Sequence, residues 1–167
     1  MILKSIKLFD DNPVVLEKWQ NRIRHILVDE FQDVDSNQFK LLIQLAGNDN
    51  EITVVGDPDQ TIYTWRGADV SIILNFDKVF VGCKTISLEQ NYRSTKTIVE
   101  AANSVIDHNK DQIKKKVWSD KEQGDLITLL RATSDGEEGT LVANSIFGYK
   151  MSQQLNNKDF AILYRTN

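Results

Sequence analysis

The sequence contains few of the residues that build disulfide frameworks and zinc sites. Its 167 residues include one cysteine, Cys83, and two histidines, His25 and His108. A single thiol cannot form an internal disulfide, and zinc sites draw their ligands mainly from cysteine and histidine. The residues from 79 to 81 are apolar, which favours a packed Cys83 thiol over a reactive one. An internal disulfide framework is therefore excluded, and a zinc site is not expected.

Long hydrophobic runs and an excess of positive charge are also missing. No apolar stretch approaches the roughly 20 residues that a membrane-spanning helix needs. Charges at Lys4, Lys7 and Asp10 interrupt the opening segment, unlike a signal peptide, so we expect a cytoplasmic protein without a membrane partner. The formal net charge is −4, so nucleic-acid binding would depend on local groups and stacking. The one cationic run, residues 114–116, is expected to be a solvated face.

The hydrophobic pattern predicts strands that alternate with helices, and a hydrophobic fraction of 41% is enough for a core. Five segments have the apolar pattern of strands: 26–28, 52–55, 85–88, 126–130 and 160–164. Spacing and capping signals predict helices over residues 2–9, from Pro13, after Asp35 with a Gln38 capping box, near 70–74, after a Ser94 cap, and over 137–155. This order favours a parallel α/β architecture with its function at the carboxyl ends of the strands.

The apolar run that begins at Ile26 ends in two acids, Asp29 and Glu30. Such a pair suits a magnesium-nucleotide site, because Mg²⁺ takes hard oxygen ligands and phosphoryl transfer also needs a group that orients the attacking water. Acidic residues end many strands, so the pair taken alone favours a structural role over a catalytic one.

A stretch from 56 to 68 combines acids, an amide, aromatic rings and a guanidinium group directly after the second predicted strand. Tyr63, Trp65 and Arg66 offer stacking faces for unpaired bases, with a cation–π contribution from arginine. The same rings could instead close the core over the following helix. A third polar stretch, 88–94, brings Tyr92 as a base-stacking group and Arg93 as a phosphate-binding group to the start of a helix.

Four segments of the chain resemble consecutive motifs of UvrD/Rep/PcrA-type superfamily 1 DNA helicases, in the same order. They are residues 28–33, 56–68, 88–94 and 161–167. The resemblance implies an α/β fold with parts of two RecA-like lobes, in which helices flank parallel sheets. It further implies a motor that clamps ATP and Mg²⁺ between the lobes, moves along single-stranded DNA, usually from 3′ to 5′, and unwinds duplex DNA. We expect the first lobe over residues 1–83 and the second over 84–167, with a hinge near 82–88.

The resemblance also implies individual roles. Asp29 matches the magnesium ligand, Glu30 the acid that activates water, and Gln60 the residue that senses the terminal phosphate and links it to the DNA-binding loop. Tyr92 matches the tyrosine that stacks on adenine, and Arg93 the arginine that contacts the terminal phosphate across the cleft. The residues that match positions at the DNA are Tyr63, Trp65, Arg66, Tyr164, Arg165 and Asn167.

The phosphate-binding loop of the family, G-x-x-x-x-G-K-S/T, does not occur in these 167 residues. The later family motifs are absent too, so we interpret the chain as the middle of a helicase and expect it to be inactive alone. Exposed sheet edges favour pairing with another copy. Two alternatives remain open from the residues: the motor subunit of a helicase–nuclease, and a catalytically inactive module that binds single strands.

Overall fold

The computed structural model describes residues 1–48, 50–110 and 112–164. It divides into two compact units, of which the first spans Met1–Gly124 and the second begins at Asp125. Within these described ranges, none of the helices has the length and apolar character needed to cross a membrane.

The first unit holds most of the regular structure. Its helices and strands are α1 (Ile2–Asp11), α2 (Pro13–Gln20), β1 (His25–Val28), α3 (Ser36–Ala46), β2 (Glu51–Val54), α4 (Val70–Leu74), α5 (Phe76–Val79) and α6 (Lys96–Ile106). Three single 3₁₀ turns lie between them, at Phe31–Asp33, Pro58–Gln60 and Thr64–Arg66. The second unit contains α7 (Asp135–Gln153) and a 3₁₀ turn at Asn157–Asp159.

A parallel pair of strands, β1 and β2, positions the loops of interest. Val28 is opposite Val54 in the register, and α3 makes the connection between the strands. The predicted capping box is confirmed: the Asp35 carboxylate accepts from the backbone N–H of Gln38, and the Gln38 side chain accepts from the N–H of Asp35. Gly47 ends α3 with a φ of 57°, a conformation that glycine adopts without steric cost. The β–α–β unit confirms the α/β class.

The core of the first unit lies where α1 packs against α3. Ile6 and Phe9 of α1 are buried, as are Leu42 and Ala46 of α3. This agrees with the helical spacing of the apolar residues in both segments. Phe31, in the turn after β1, is completely buried.

Three predicted strands do not form. Residues 85–88, 126–130 and 160–164 are not in strands, and their apolar side chains are largely exposed, with Leu88 at 80% and Leu126 at 85%. An apolar segment becomes a strand only when its N–H and C=O groups find a hydrogen-bonding neighbour. In the part of the chain that the structure describes, none of the three segments has such a neighbouring strand.

The start of α6 also differs from the prediction. Thr95, not Ser94, is its N-cap residue, and the Thr95 side chain makes no capping hydrogen bond. Ser94 instead belongs to the preceding turn, because its backbone N–H donates to Oδ1 of Asn91 at 2.8 Å. The helix itself begins one residue later than the cap prediction implied.

Candidate functional site

The loops after β1 and β2 meet at one edge of the strand pair. The N–H of Val55 donates to the Val28 carbonyl oxygen at 2.8 Å, and the N–H of Phe31 donates to the Val55 carbonyl oxygen at 2.9 Å. Carboxyl ends of parallel strands lie at the same edge. The acid pair after β1 and the polar loop from 56 to 60 are therefore neighbours.

Asp29 and Glu30 both point a carboxylate into solvent at this edge. Glu30 has φ 49° and ψ 44°, in the left-handed region that residues with a Cβ rarely adopt. Oδ1 of Asp29 accepts the Glu30 backbone N–H at 2.9 Å and closes the turn. Holding a non-glycine residue in this conformation costs about 1 kcal/mol, which the surrounding contacts must offset.

Gln32 joins the two loops and was not recognised from the sequence as a site residue. Its side chain is 2% exposed. Nε2 donates to Oε2 of Glu30 at 2.7 Å, and Oε1 accepts the backbone N–H of Asp57 at 3.0 Å. Both ends of a buried amide are thus satisfied. No local sequence signal distinguishes a buried glutamine from a solvated one, because only the tertiary contact decides it.

Gly56 permits the close approach of these loops. A Cβ at this position would lie 2.8 Å from Oε1 of Gln32 and 3.0 Å from the backbone nitrogen of Phe31. Real Cβ atoms essentially never lie closer than 3.0 Å to another heavy atom, so the Gln32 side chain would have to shift. Glycine at position 56 therefore leaves the space in which Gln32 joins the two loops.

Asp57 connects Gln32 to Gln60 and to a distant lysine. Oδ2 of Asp57 accepts from Nε2 of Gln60 at 2.9 Å, and Oδ1 accepts from Nζ of Lys115 at 2.5 Å. Burial alone raises the pKa of Asp57, but the hydrogen bonds from Lys115, Gln60 and the Asp59 backbone outweigh it and lower the pKa below its usual value. Lys115 is only 17% exposed, so the prediction that residues 114–116 form a solvated face is wrong for this residue.

The aromatic stretch forms an exposed platform. The Tyr63 and Trp65 rings have centroids 6.3 Å apart, and the Arg66 guanidinium carbon lies 5.1 Å from the Tyr63 centroid and 4.5 Å from the Trp65 centroid. Trp65 is 72% exposed and Tyr63 is 37% exposed, which contradicts the alternative in which both rings close the core. A stacking face of this size in solvent suits an unpaired base.

Tyr92 and Arg93 lie on a turn that the 118–121 segment fixes. Oδ1 of Asn91 accepts the backbone N–H of Arg93 at 2.9 Å, and the N–H of Asn91 donates to the Trp118 carbonyl oxygen at 2.7 Å. Nζ of Lys121 donates to the Arg93 carbonyl oxygen at 2.9 Å. The Tyr92 ring is 75% exposed, and the Arg93 side chain is exposed as well. The Tyr92 hydroxyl donates to Oε1 of Gln90 at 2.7 Å, so the exposed ring face and the Arg93 side chain are what a ligand could contact.

The predicted DNA contacts near residue 164 lie in the second unit. Tyr164 is 73% exposed and lines an open apolar groove of about 670 Å³ along α7, together with Val142, Ile146 and Phe147. Arg165 and Asn167, the other two predicted contacts, lie outside the described residues. Their roles stay predictions.

One carboxylate, that of Asp29, fits a magnesium ion bound with its nucleotide. Among the residues that the structure describes, no group of three or more potential metal-binding side chains occurs. Mg²⁺ in nucleotide sites commonly takes one or two carboxylates and fills its remaining positions with phosphate oxygens and water. The exposed Asp29 therefore provides the kind of ligand such a site needs, without a preformed protein cage.

A parallel strand pair that delivers two acids beside a glutamine loop is the class of site found in α/β nucleotide hydrolases. Comparison with known protein families identifies a more specific class of protein. Residues 1–81 match the UvrD/REP helicase N-terminal domain, and residues 86–167 match the UvrD-like helicase C-terminal domain. The chain belongs to the UvrD-like helicase family.

Similar proteins align with this chain along its whole length. The ATP-dependent DNA helicase PcrA of Leuconostoc citreum is 41% identical over 167 residues, and PcrA of Bacillus subtilis is 44% identical over 167 residues. PcrA of Staphylococcus aureus is 45% identical over 170 residues. In each case all of this chain aligns, but it spans only 22% or 23% of the relative's length.

Proposed function

We propose that the chain acts as part of an ATP-dependent DNA helicase, which moves along single-stranded DNA from 3′ to 5′ and unwinds duplex DNA. The observation that carries this proposal is the hydrogen-bonded path from Glu30 through Gln32 and Asp57 to Gln60. The path joins the proposed catalytic acid to the proposed phosphate sensor. The aromatic platform at Trp65 follows on the same segment of chain.

The proposed roles divide between nucleotide and DNA. Glu30 orients and deprotonates the attacking water, and Asp29 holds the magnesium ion, which would neutralise charge on the phosphates. Gln60 and Arg93 contact the terminal phosphate, and Tyr92 stacks on the adenine. The residues proposed to contact DNA are Tyr63, Trp65, Arg66, Tyr164, Arg165 and Asn167.

We place the boundary between two RecA-like lobes near residue 83, with a hinge at 82–88. The two family matches, which lie on either side of this boundary, support the division. Residues 84–124 then belong to the second lobe by sequence while they contact loops of the first. A cytoplasmic location accords with ATP and DNA as the proposed substrates.

Replacing Trp65 by alanine is expected to weaken binding of an oligothymidylate to the purified chain by about 5- to 150-fold. This corresponds to the loss of roughly 1 to 3 kcal/mol for one stacked base. The ring is 72% exposed, so the change removes a binding face without opening the core. Fluorescence anisotropy of a labelled oligonucleotide at fixed salt measures the dissociation constant.

Trp19 provides the matched control for this measurement. It is also an exposed tryptophan, at 42%, with the Arg22 guanidinium carbon 5.0 Å from its ring centroid, but it lies on α2. Trp19→Ala should leave the affinity unchanged. Equal losses in both variants would show that stacking is non-specific, and an unchanged dissociation constant for Trp65→Ala would remove Trp65 from the DNA contacts.

We also infer that the isolated chain associates with itself. Leu126, Leu129 and Leu163 are 85%, 78% and 94% exposed in apolar segments that have no neighbouring strand among the described residues. Such segments favour pairing with a second copy. Light scattering at several concentrations should show a mass that rises with concentration, and Leu129→Lys should reduce that rise. A constant monomer mass would contradict the inference.

A further inference from the structure

Lys115 differs from the two lysines beside it. Its Nζ lies 2.5 Å from Oδ1 of Asp57 and 2.9 Å from Oδ2 of Asp59, and its side chain is 17% exposed. Lys114 and Lys116 are exposed. One cation therefore bridges two carboxylates of the loop that carries Gln60, although it follows them by more than fifty positions in the chain.

The two carboxylates depend on this cation. The Asp59 side chain is 4% exposed, and a buried charge without a partner is costly. Without Lys115, Asp57 and Asp59 would repel each other across a tight turn. The remaining donors are uncharged: Nε2 of Gln60 and the Asp59 backbone N–H on Asp57 at 2.9 Å and 3.1 Å, and Nδ2 of Asn109 on Asp59 at 3.0 Å.

We propose that Lys115 is a positioning residue for Gln60, and that it acts by fixing the Asp57 carboxylate to which the Gln60 amide is bound. The inference deepens the proposed function and rests on it, because Gln60 is there the sensor of the terminal phosphate. Lys115 lies in the stretch that matches the C-terminal helicase domain, whereas Gln60 lies in the stretch that matches the N-terminal domain. The ion pair therefore links the two matched stretches at the sensor.

The ion pairs of Lys115 with Asp57 and Asp59 stabilise the loop only over a defined pH range. Burial lowers the pKa of Lys115, but its hydrogen bonds to Asp57 and Asp59 outweigh this effect and raise the pKa above its usual value. The pKa of Asp57 is lowered. The stabilisation is therefore present at neutral pH, is lost as pH falls through the folded-state pKa of Asp57, and is lost as pH rises through that of Lys115. The charged groups in direct contact here are Asp57, Asp59 and Lys115, and Glu89, Asp107, Lys114 and Lys116 line the open pocket beside Lys115.

The test follows the side-chain amide resonance of Gln60 by NMR in the 167-residue chain during an acid titration. Because that amide is bound to Asp57, its chemical shift reports the protonation of the Asp57 carboxyl. In Lys115→Met we expect the midpoint of this titration to move to higher pH, and the Gln60 resonance to differ already at neutral pH. Lys114→Met, next to it and exposed, should leave both unchanged.

Lys115→Arg should restore the native Gln60 resonance, because a guanidinium group can also bridge two carboxylates. If Lys115→Met does not fold, the milder Lys115→Gln is measured in its place, with the same expected direction. A lower melting temperature with an unchanged Gln60 resonance and titration midpoint would overturn the proposal and leave Lys115 a purely structural residue.

A second experiment separates this inference from the proposed function. In a chimera, this chain replaces the matching segment of Bacillus subtilis PcrA, to which it is 44% identical. Lys115→Met should lower kcat for DNA-stimulated ATP hydrolysis about 10- to 100-fold, as expected when a reacting group is misplaced, with little change in KM. An unchanged kcat would contradict Lys115 as a positioning residue. An inactive chimera with Lys115 intact would contradict the proposed function instead, while the NMR titration still decides the role of Lys115.

Discussion

Glu30→Gln is expected to lower kcat for ATP hydrolysis by about 100- to 10,000-fold, the usual contribution of a general base, in the chimera with Bacillus subtilis PcrA. Glutamine keeps the size of the side chain but cannot accept a proton from water. Because Asp29 and the phosphate contacts are left intact, KM for ATP should change little. A coupled assay of ADP release with saturating single-stranded DNA measures both constants.

Two controls give this result its meaning. Glu17, an exposed acid on α2, should tolerate the same change to glutamine without loss of kcat. The 167-residue chain alone, which has no phosphate-binding loop in its sequence, should hydrolyse ATP negligibly. Robust DNA-stimulated turnover by this chain, abolished by Glu30→Gln, would show that the loop is dispensable. A kcat within twofold of the parent chimera would remove Glu30 from catalysis.

Phe31→Ala is expected to reduce the free energy of unfolding by about 3 to 5 kcal/mol, the typical loss for a large aromatic side chain in a core. Phe31 is completely buried and makes edge-to-face contacts with Phe39 and Phe76, at centroid distances of 6.2 Å and 5.5 Å. A domain of ordinary stability has about 5 to 15 kcal/mol in total. The variant should therefore unfold at a much lower urea concentration, as measured by circular dichroism.

Phe147 on α7 serves as the comparison, because its ring is 64% exposed. Phe147→Ala should change the free energy of unfolding by less than about 0.5 kcal/mol. Phe31→Leu, which keeps an apolar side chain in the same place, should fall between the two. Equal effects of Phe31→Ala and Phe147→Ala would show that the buried Phe31 ring contributes no more to stability than an exposed ring.

Local signals in the sequence predicted the structure well where the deciding contacts are close in the chain. The capping box of Asp35 with Gln38 and the proline that starts α2 both occur as predicted. The strands at 126–130 and 160–164 were predicted from the apolar pattern of each segment by itself, and they do not form because strand pairing depends on two segments. Leu126 is apolar enough for a strand, yet no strand lies beside it among the residues that the structure describes.

The candidate site was predicted in its motifs but not in the contacts that connect them. Asp29, Glu30 and Gln60 were proposed as site residues because their segments resemble helicase motifs, and the structure places their loops side by side. Gln32 and Lys115 could not be identified, because no local pattern in the sequence distinguishes a buried glutamine or a partly buried lysine from a solvated one. Gln32 is buried and Lys115 is partly buried through packing between segments that are distant in sequence.

The backbone of Glu30 has a consequence for how this protein could change under selection. Its left-handed conformation, with φ at 49°, is one that glycine adopts freely and glutamate does not. A glycine at this position would relax the turn, and the gain in stability would come at the loss of the carboxylate. Selection for heat resistance alone would therefore favour glycine at this position and remove the proposed catalytic acid.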